Sequence, residues 1–118
     1  MLVTVLYATN EVRREIEFLD EWKRAQYAHK NINTYKAVCI VRLEYPIIMP
    51  SDSIEKMADK VFELTNTRDH RWYDNQEVTL LGLTEKVKGY RSSCIGDIFI
   101  IDGYYLMFDT AGFIELNI

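Results

Sequence analysis

The residues with the most chemical potential lie together in "RSSCIGD", Arg91 to Asp97, directly before the apolar run "IFIIDGYYLMF". The stretch combines a guanidinium, hydroxyls, a thiol and a carboxylate. Cys94 would be a nucleophile if a base such as His70 and the carboxylate of Asp97 lay beside it. No nucleophile elbow or oxyanion loop accompanies these residues, so we favour a structural turn over a small Cys/His enzyme.

Other catalytic and ligand-binding patterns are absent from the sequence. The two cysteines and two histidines match no zinc-ligand spacing. The glycines form neither a G-x-G-x-x-G motif nor a P-loop. We therefore expect a non-enzymatic protein without catalytic residues, metal or cofactor, and we interpret Cys39 and Cys94 as reduced thiols.

Length and hydropathy predict one domain that does not enter a membrane. A chain of 118 residues is long enough to bury one core, so residues 1–118 are expected to form a single domain. No apolar run approaches the roughly 20 residues that a membrane-spanning helix needs. The N-terminal "MLVTVLYATN" lacks a basic region and a cleavage site, so it reads as a first strand and not as a signal peptide.

The charge balance disfavours binding to nucleic acid. The net charge is −4, the opposite sign from a surface that neutralises phosphates. A nucleic-acid-associated protein that uses the local basic stretches Arg13-Arg14, Lys23-Arg24 and Arg68-Arg71 remains the alternative.

Periodicity and turn residues predict an α+β fold. Apolar spacing favours a helix from Thr9 to Lys30, with Thr9 or Asn10 as N-cap and Trp22 on its apolar stripe, and a second helix from Ser53 to Thr65. Asp102-Gly103 between two apolar runs predicts a β-hairpin. We expect two helices packed on one face of a mainly antiparallel sheet of five to six strands, with a C-terminal β-hairpin. The other predicted strands are 2–6, Tyr35–Tyr45, Glu77–Leu83 and 113–116.

The polar loop "RDHRWYDN" is the most promising binding surface in the sequence, because Arg, Trp and Tyr often anchor interfaces. The alternative is that its tryptophan folds back over the end of the second helix. The predicted partner contacts are Arg68, Arg71, Trp72 and Tyr73, with Tyr104 and Tyr105 of the hairpin as a second set.

The second half of the chain, Asp59 to Leu116, resembles a group of short proteins encoded by phages, prophages and plasmids. Their motif is Arg-Ser-x-Ser-Val-Gly-Asp, then a hairpin and Gly-Phe-x-x-Leu, with Cys94-Ile95 replacing Ser-Val in this chain. The matching residues are Phe62, Asn66, Asp69, Trp72, Val78, Arg91, Ser92, Gly96, Asp97, Gly103, Gly112, Phe113 and Leu116.

The resemblance implies a viral or mobile-element accessory protein in the cytoplasm of a bacterial host. Such proteins commonly bind and modulate or inhibit a host protein, such as a defence complex or the transcription machinery. Anti-defence activity, either anti-CRISPR or anti-restriction, is one form of that role. A homodimer formed through an edge strand is a further expectation from the predicted sheet.

Within this motif we expect structural roles. Gly96 should adopt a backbone conformation that costs other residues more. Asp97 or Ser93 should accept hydrogen bonds from backbone donors, and Arg91 should pair with Asp97 or Asp109.

Overall fold

The computed structural model describes residues 1–44, 52–81 and 91–118. Within these ranges the chain forms three α-helices, six strands and two short 3₁₀ turns, which confirms the α+β class. The helices are α1 (Asn10–Ile16), α2 (Glu21–Lys30) and α3 (Asp52–Leu64). The strands are β1 (Leu2–Tyr7), β2 (Lys36–Arg42), β3 (Val78–Leu80), β4 (Ile98–Ile101), β5 (Tyr104–Asp109) and β6 (Gly112–Leu116), and the 3₁₀ turns are Ile32–Thr34 and Trp72–Asp74.

The six strands form one sheet in the order β3-β2-β1-β4-β5-β6, and every neighbouring pair is antiparallel. The predicted hairpin joins β4 and β5 through Asp102 and Gly103, whose φ angles of 49° and 82° are those of a type I′ turn. A second hairpin joins β5 and β6, which confirms the predicted C-terminal hairpin. The strand predictions at Tyr45, Gly82 and Leu83 lie outside the described residues.

The helices cover both faces of the sheet, which corrects the expectation that they share one face. Met57, Ala58 and Val61 of α3 pack on the face that holds Phe99 of β4. Ala28 of α2 packs on the opposite face, where it belongs to the cluster of Ile98, Met107 and Leu116. Consecutive residues of a strand point to opposite faces, and Ile98 and Phe99 are both fully buried. Both faces of β4 are therefore apolar, and each requires its own helix.

The predicted helix from Thr9 to Lys30 is two helices. It begins as expected, since the Thr9 side chain caps α1 by accepting a hydrogen bond from the Val12 amide at 3.2 Å. The first of the two, α1, ends at Ile16, and Asp20 takes an extended conformation before α2 begins. The break lets α1 pack Ile16 against the loop before β4, while α2 turns onto the sheet.

The second predicted helix agrees with α3 to within one residue at each end. Its apolar stripe packs into the larger core cluster. Near its C-terminal end, the Phe62 ring stacks on that of Phe108 with 4.2 Å between centroids. This stack joins α3 to the C-terminal end of β5.

Replacing Gly96 with alanine should lower the free energy of unfolding by about 1–3 kcal/mol, the usual cost of forcing a side chain into a disfavoured backbone region. Gly96 has φ +95°, and a Cβ there would lie 2.8 Å from Cδ1 of Ile16. Gly103→Ala is the matched control, because Gly103 has φ +82° with open space around it. Urea unfolding checks both variants. Equal losses would contradict the steric role of Ile16.

Candidate functional site

The motif "RSSCIGD" is organised by a buried ion pair between Arg91 and Asp97. The two guanidinium nitrogens lie 2.6 and 2.8 Å from the two carboxylate oxygens, and Asp97 is 0% exposed. The carboxylate also accepts hydrogen bonds from the amides of Ala8 at 3.0 Å and Cys94 at 2.8 Å. The structure therefore confirms that Asp97 accepts from backbone donors and that Arg91 pairs with it. Asp109 binds Arg24 instead.

Arg91 ties the same loop to the end of β1. Its guanidinium donates to the Ala8 carbonyl at 3.2 Å and lies 4.0 Å from the centroid of the Tyr7 ring. Its own carbonyl accepts hydrogen bonds from the Tyr7 hydroxyl and from Nε1 of Trp72. One residue therefore fixes the relative positions of β1, the loop and the 3₁₀ turn at Trp72.

Buried hydroxyls complete this network. Ser93 Oγ donates to Thr65 Oγ1 at 2.8 Å and lies 3.2 Å from the Tyr7 hydroxyl, and the Tyr35 hydroxyl donates to the Gly96 carbonyl at 2.6 Å. Burial raises the pKa of both Tyr7 and Tyr35 above the ordinary phenol value. These phenols therefore stay neutral and serve as hydrogen-bonding groups within the fold.

Cys94 lacks the surroundings of a catalytic thiol. Burial raises its pKa, and the nearby Asp97 carboxylate raises it further, against the opposing effects of Arg91 and Arg13. His70 is exposed, and its Nε2 lies 2.6 Å from Oδ1 of Asn75. The Cys94 sulfur accepts a hydrogen bond from Arg91, and Arg91 also holds the Asp97 carboxylate. Among the described residues, no contact joins this thiol to the His70 imidazole, which the Cys94–His70–Asp97 hypothesis requires.

Trp72 belongs to the core and not to an exposed binding loop. Only 3% of its surface is exposed, and it packs in the cluster that includes Tyr7 and Leu64. This position corrects the prediction of Trp72 as a partner contact, because the ring covers the end of α3 as in the alternative interpretation.

The other predicted contacts divide between surface and interior. Arg71 is exposed, binds Asp74 at 2.9 Å and lies over the half-buried Tyr73 ring. Arg68 and Tyr104 are exposed, whereas Tyr105 is half-buried against the second core cluster. Of the six predicted contacts, one forms an ion pair and three are at least partly buried: Arg71, and Trp72, Tyr73 and Tyr105, respectively.

Several of the predicted basic stretches are used within the fold. Arg24 forms a two-pronged bond with Asp109 and also donates to the Leu19 carbonyl at 2.7 Å. Arg71 is paired with Asp74, and Lys23 lies 5.5 Å from the ring centroid of Trp22. These arginines carry less free positive charge toward a phosphate backbone than the sequence indicates.

The sequence did not identify the most exposed aromatic side chains of the described residues, which lie where α1 gives way to α2. Phe18 is 85% exposed and Trp22 is 59% exposed. We call these two residues the aromatic turn. Trp22 was predicted on the apolar stripe, and only the helix break at Glu17–Asp20 turns it outward. Asp20, a frequent N-cap residue type, was the one signal of a new helix start.

A cleft of about 500 Å³ lies beside the aromatic turn. Glu17, the residue before Phe18, and Arg24, two residues after Trp22, both line it. Its apolar wall consists of Ile16, Phe62, Ile95 and Phe108, and its polar groups include Arg13, Ser93 and Cys94.

Comparisons with protein-family models, curated proteins and solved structures found no significant match to this chain. Among the described residues, no helix has the length and apolar character needed to cross a membrane. The same residues contain no group of three His, Cys, Asp or Glu side chains placed to hold a metal ion.

Breaking the Arg91–Asp97 pair should be far more damaging than breaking the exposed pair Arg71–Asp74. Arg91→Met should lower the free energy of unfolding by about 3–5 kcal/mol, because it leaves a buried carboxylate without its counter-charge. Arg71→Met is the matched control and should change stability little, since both partners are exposed. Chemical unfolding of both variants measures the difference. Similar losses would contradict a central role for Arg91.

Cys94 should react slowly with iodoacetamide. Its raised pKa leaves less thiolate at a given pH than a free cysteine has, so the labelling rate should rise only above the pH range of an ordinary thiol. Cys39, whose pKa burial raises to about 12, should stay unlabelled until the protein unfolds. Mass spectrometry of the labelled peptides checks both residues. Labelling of Cys94 at neutral pH faster than a free thiol would revive the enzyme hypothesis.

Proposed function

We propose that this chain is a non-enzymatic phage or mobile-element accessory protein that binds a bacterial host protein in the host cytoplasm and modulates or inhibits it. The observation that carries the binding role is the exposure of Phe18, in the α1–α2 turn, and of Trp22, in the first turn of α2. The motif resemblance supports the genetic context. Inhibition of a defence system, such as CRISPR or a restriction enzyme, is one form of this role, and action on the transcription machinery is another.

The aromatic turn has the properties of an interface anchor. Phe and Trp bury large areas on association, and tryptophan is among the residues most enriched at binding hot spots. Leaving both side chains in water provides no stability to the monomer. Transfer of these rings into a partner's pocket would remove that apolar surface from solvent, which favours binding.

The turn is held in place before any partner arrives. Arg24 donates to the Leu19 carbonyl and binds Asp109 at the end of β5, so the residues between Phe18 and Trp22 are fixed to the sheet. A preorganised turn loses little conformational freedom on binding, which raises affinity for a given contact area.

The neighbouring cleft offers a complementary feature for the same partner. Its wall of Ile16, Phe62, Ile95 and Phe108 can receive an apolar side chain, and Arg13 at the cleft can pair with an acidic group of the partner. The aromatic turn supplies exposed rings and the cleft a receiving surface, and the chain neighbours Glu17 and Arg24 connect the two.

The functional groups of the motif favour binding over catalysis. Arg91, Asp97 and Ser93 make hydrogen bonds within the fold, and the Cys94 thiol has a raised pKa. The nucleic-acid alternative receives less support, because Arg24 and Arg71 are paired with carboxylates.

Affinity purification of the tagged protein from a bacterial host tests this proposal. We expect one dominant host protein with the wild type and its loss with the double variant Phe18→Ser and Trp22→Ser. The matched control is Leu2→Ser, which removes another exposed apolar side chain, at the start of β1. Circular dichroism confirms that each variant folds.

Each outcome decides a specific claim. Retention of the partner by the aromatic-turn variant would exclude that turn as the anchor, and its loss with Arg68→Ala and Tyr104→Ala would assign the role to the surface predicted from the sequence. Absence of any dominant host protein would contradict the host-binding proposal. A nucleic-acid complex that weakens steeply with salt would favour the alternative.

A further inference from the structure

The outer edge of β6 carries backbone groups that point away from the sheet. Phe108 directs its amide and carbonyl toward Asp97 and Gly96, with N–O distances of 2.9 Å in both bonds. It therefore does not bond to Phe113, its neighbour across the β5–β6 ladder. Since bonded and non-bonded pairs alternate in an antiparallel ladder, Leu106 and Glu115 are also a non-bonded pair.

It follows that the amide and carbonyl of Phe113 and Glu115 face outward from β6. No hydrogen bond from another described residue reaches these four groups. Spaced two residues apart on a regular strand, they repeat the pattern that a further antiparallel strand would bond to.

Within residues 1–44, 52–81 and 91–118, this edge shows none of the usual sequence protections against strand pairing. β6 runs for five residues without proline, lysine or register shift, and Glu115 is its single charge. The opposite edge of the sheet, β3, has only three residues. Short edge strands are one of the devices that prevent pairing, so β6 is the more competent edge.

We propose that β6 pairs antiparallel with β6 of a second copy of this chain, about a two-fold axis at Ile114. The outward groups define this register, because the bonded pairs must be Phe113 with Glu115 of the partner and the reverse. Ile114 then lies opposite the partner's Ile114 as a non-bonded pair, where side chains approach most closely. The two six-stranded sheets become one continuous sheet.

The register is self-complementary in chemistry as well as geometry. The two Ile114 side chains meet as an apolar pair, and each Glu115 lies across from Phe113 and not from the other carboxylate. Like charges directly opposite each other would destabilise the pairing, and this register avoids that arrangement. A second copy of this chain therefore supplies hydrogen-bond partners for the outward backbone groups of β6, and no different protein is required.

Glu115→Pro tests the interface with little effect on the monomer. The Glu115 amide makes no bond to β5, and proline is tolerated on an edge strand where the missing N–H faces outward. Sedimentation of the wild type over a concentration series should show the mass rising from 13.9 kDa toward twice that value. Glu115→Pro should raise the dissociation constant at least about tenfold, because each dimer loses two donors. Glu115→Ala keeps the amide and should dimerise like the wild type.

A crosslink tests the register itself, in a Cys94→Ser background. Ile114→Cys should form an intermolecular disulfide on mild oxidation, because directly opposed residues of a non-bonded pair lie within disulfide range. Glu115→Cys is the control and should not crosslink, since its counterpart lies on the diagonal. Circular dichroism and thermal unfolding verify that the variants fold.

A wild type that remains 13.9 kDa at every concentration would overturn the proposal. A dimer that persists in folded Glu115→Pro, or that crosslinks through Glu115→Cys and not Ile114→Cys, would overturn this edge and register. A host protein that occupies β6 while the free chain stays monomeric would also overturn it. Loss of host binding in the aromatic-turn variant bears only on the proposed function and leaves this test intact.

Discussion

The fold depends on the buried contact between Arg91 and Asp97. A carboxylate that is fully buried is costly unless it is paired and hydrogen-bonded, and Asp97 meets this requirement with Arg91 and the amides of Ala8 and Cys94. Those partners lie at the end of β1 and in the loop before β4. The Arg91 carbonyl then accepts from Tyr7 and Trp72. One ion pair thus brings together parts of the chain that are more than 80 residues apart.

The features that the sequence predicted correctly depend on local interactions. Asp102-Gly103 forms its turn because both residues reach positive φ, and Thr9 caps α1 through its own side chain. The apolar spacing of α3 is strong enough to define the helix within one residue at each end. In each case the relevant contacts lie within a few residues of the chain.

The features that the sequence missed depend on contacts between distant residues. Trp72 is buried in the core, where its Nε1–H is satisfied by the Arg91 carbonyl, 19 residues away. The α1–α2 break is stabilised by Arg24, whose carboxylate partner Asp109 is 85 residues away. Nothing in the local spacing of Trp22 distinguishes a core position from the exposed one that this break creates. The sequence therefore predicts a binding surface at the loop that contains Trp72, whereas the exposed aromatic side chains lie at the aromatic turn.

The two proposed surfaces have different physical bases and would reinforce each other. The aromatic turn offers apolar area, whereas the β6 edge offers backbone hydrogen bonds. Because α2 packs against β6, a dimer about Ile114 would hold two aromatic turns in one rigid particle. A partner that is itself an oligomer could engage both turns, and the second contact would then form at high effective concentration. Weak contacts at each turn would then suffice for the proposed host binding, although each aromatic turn is a small surface.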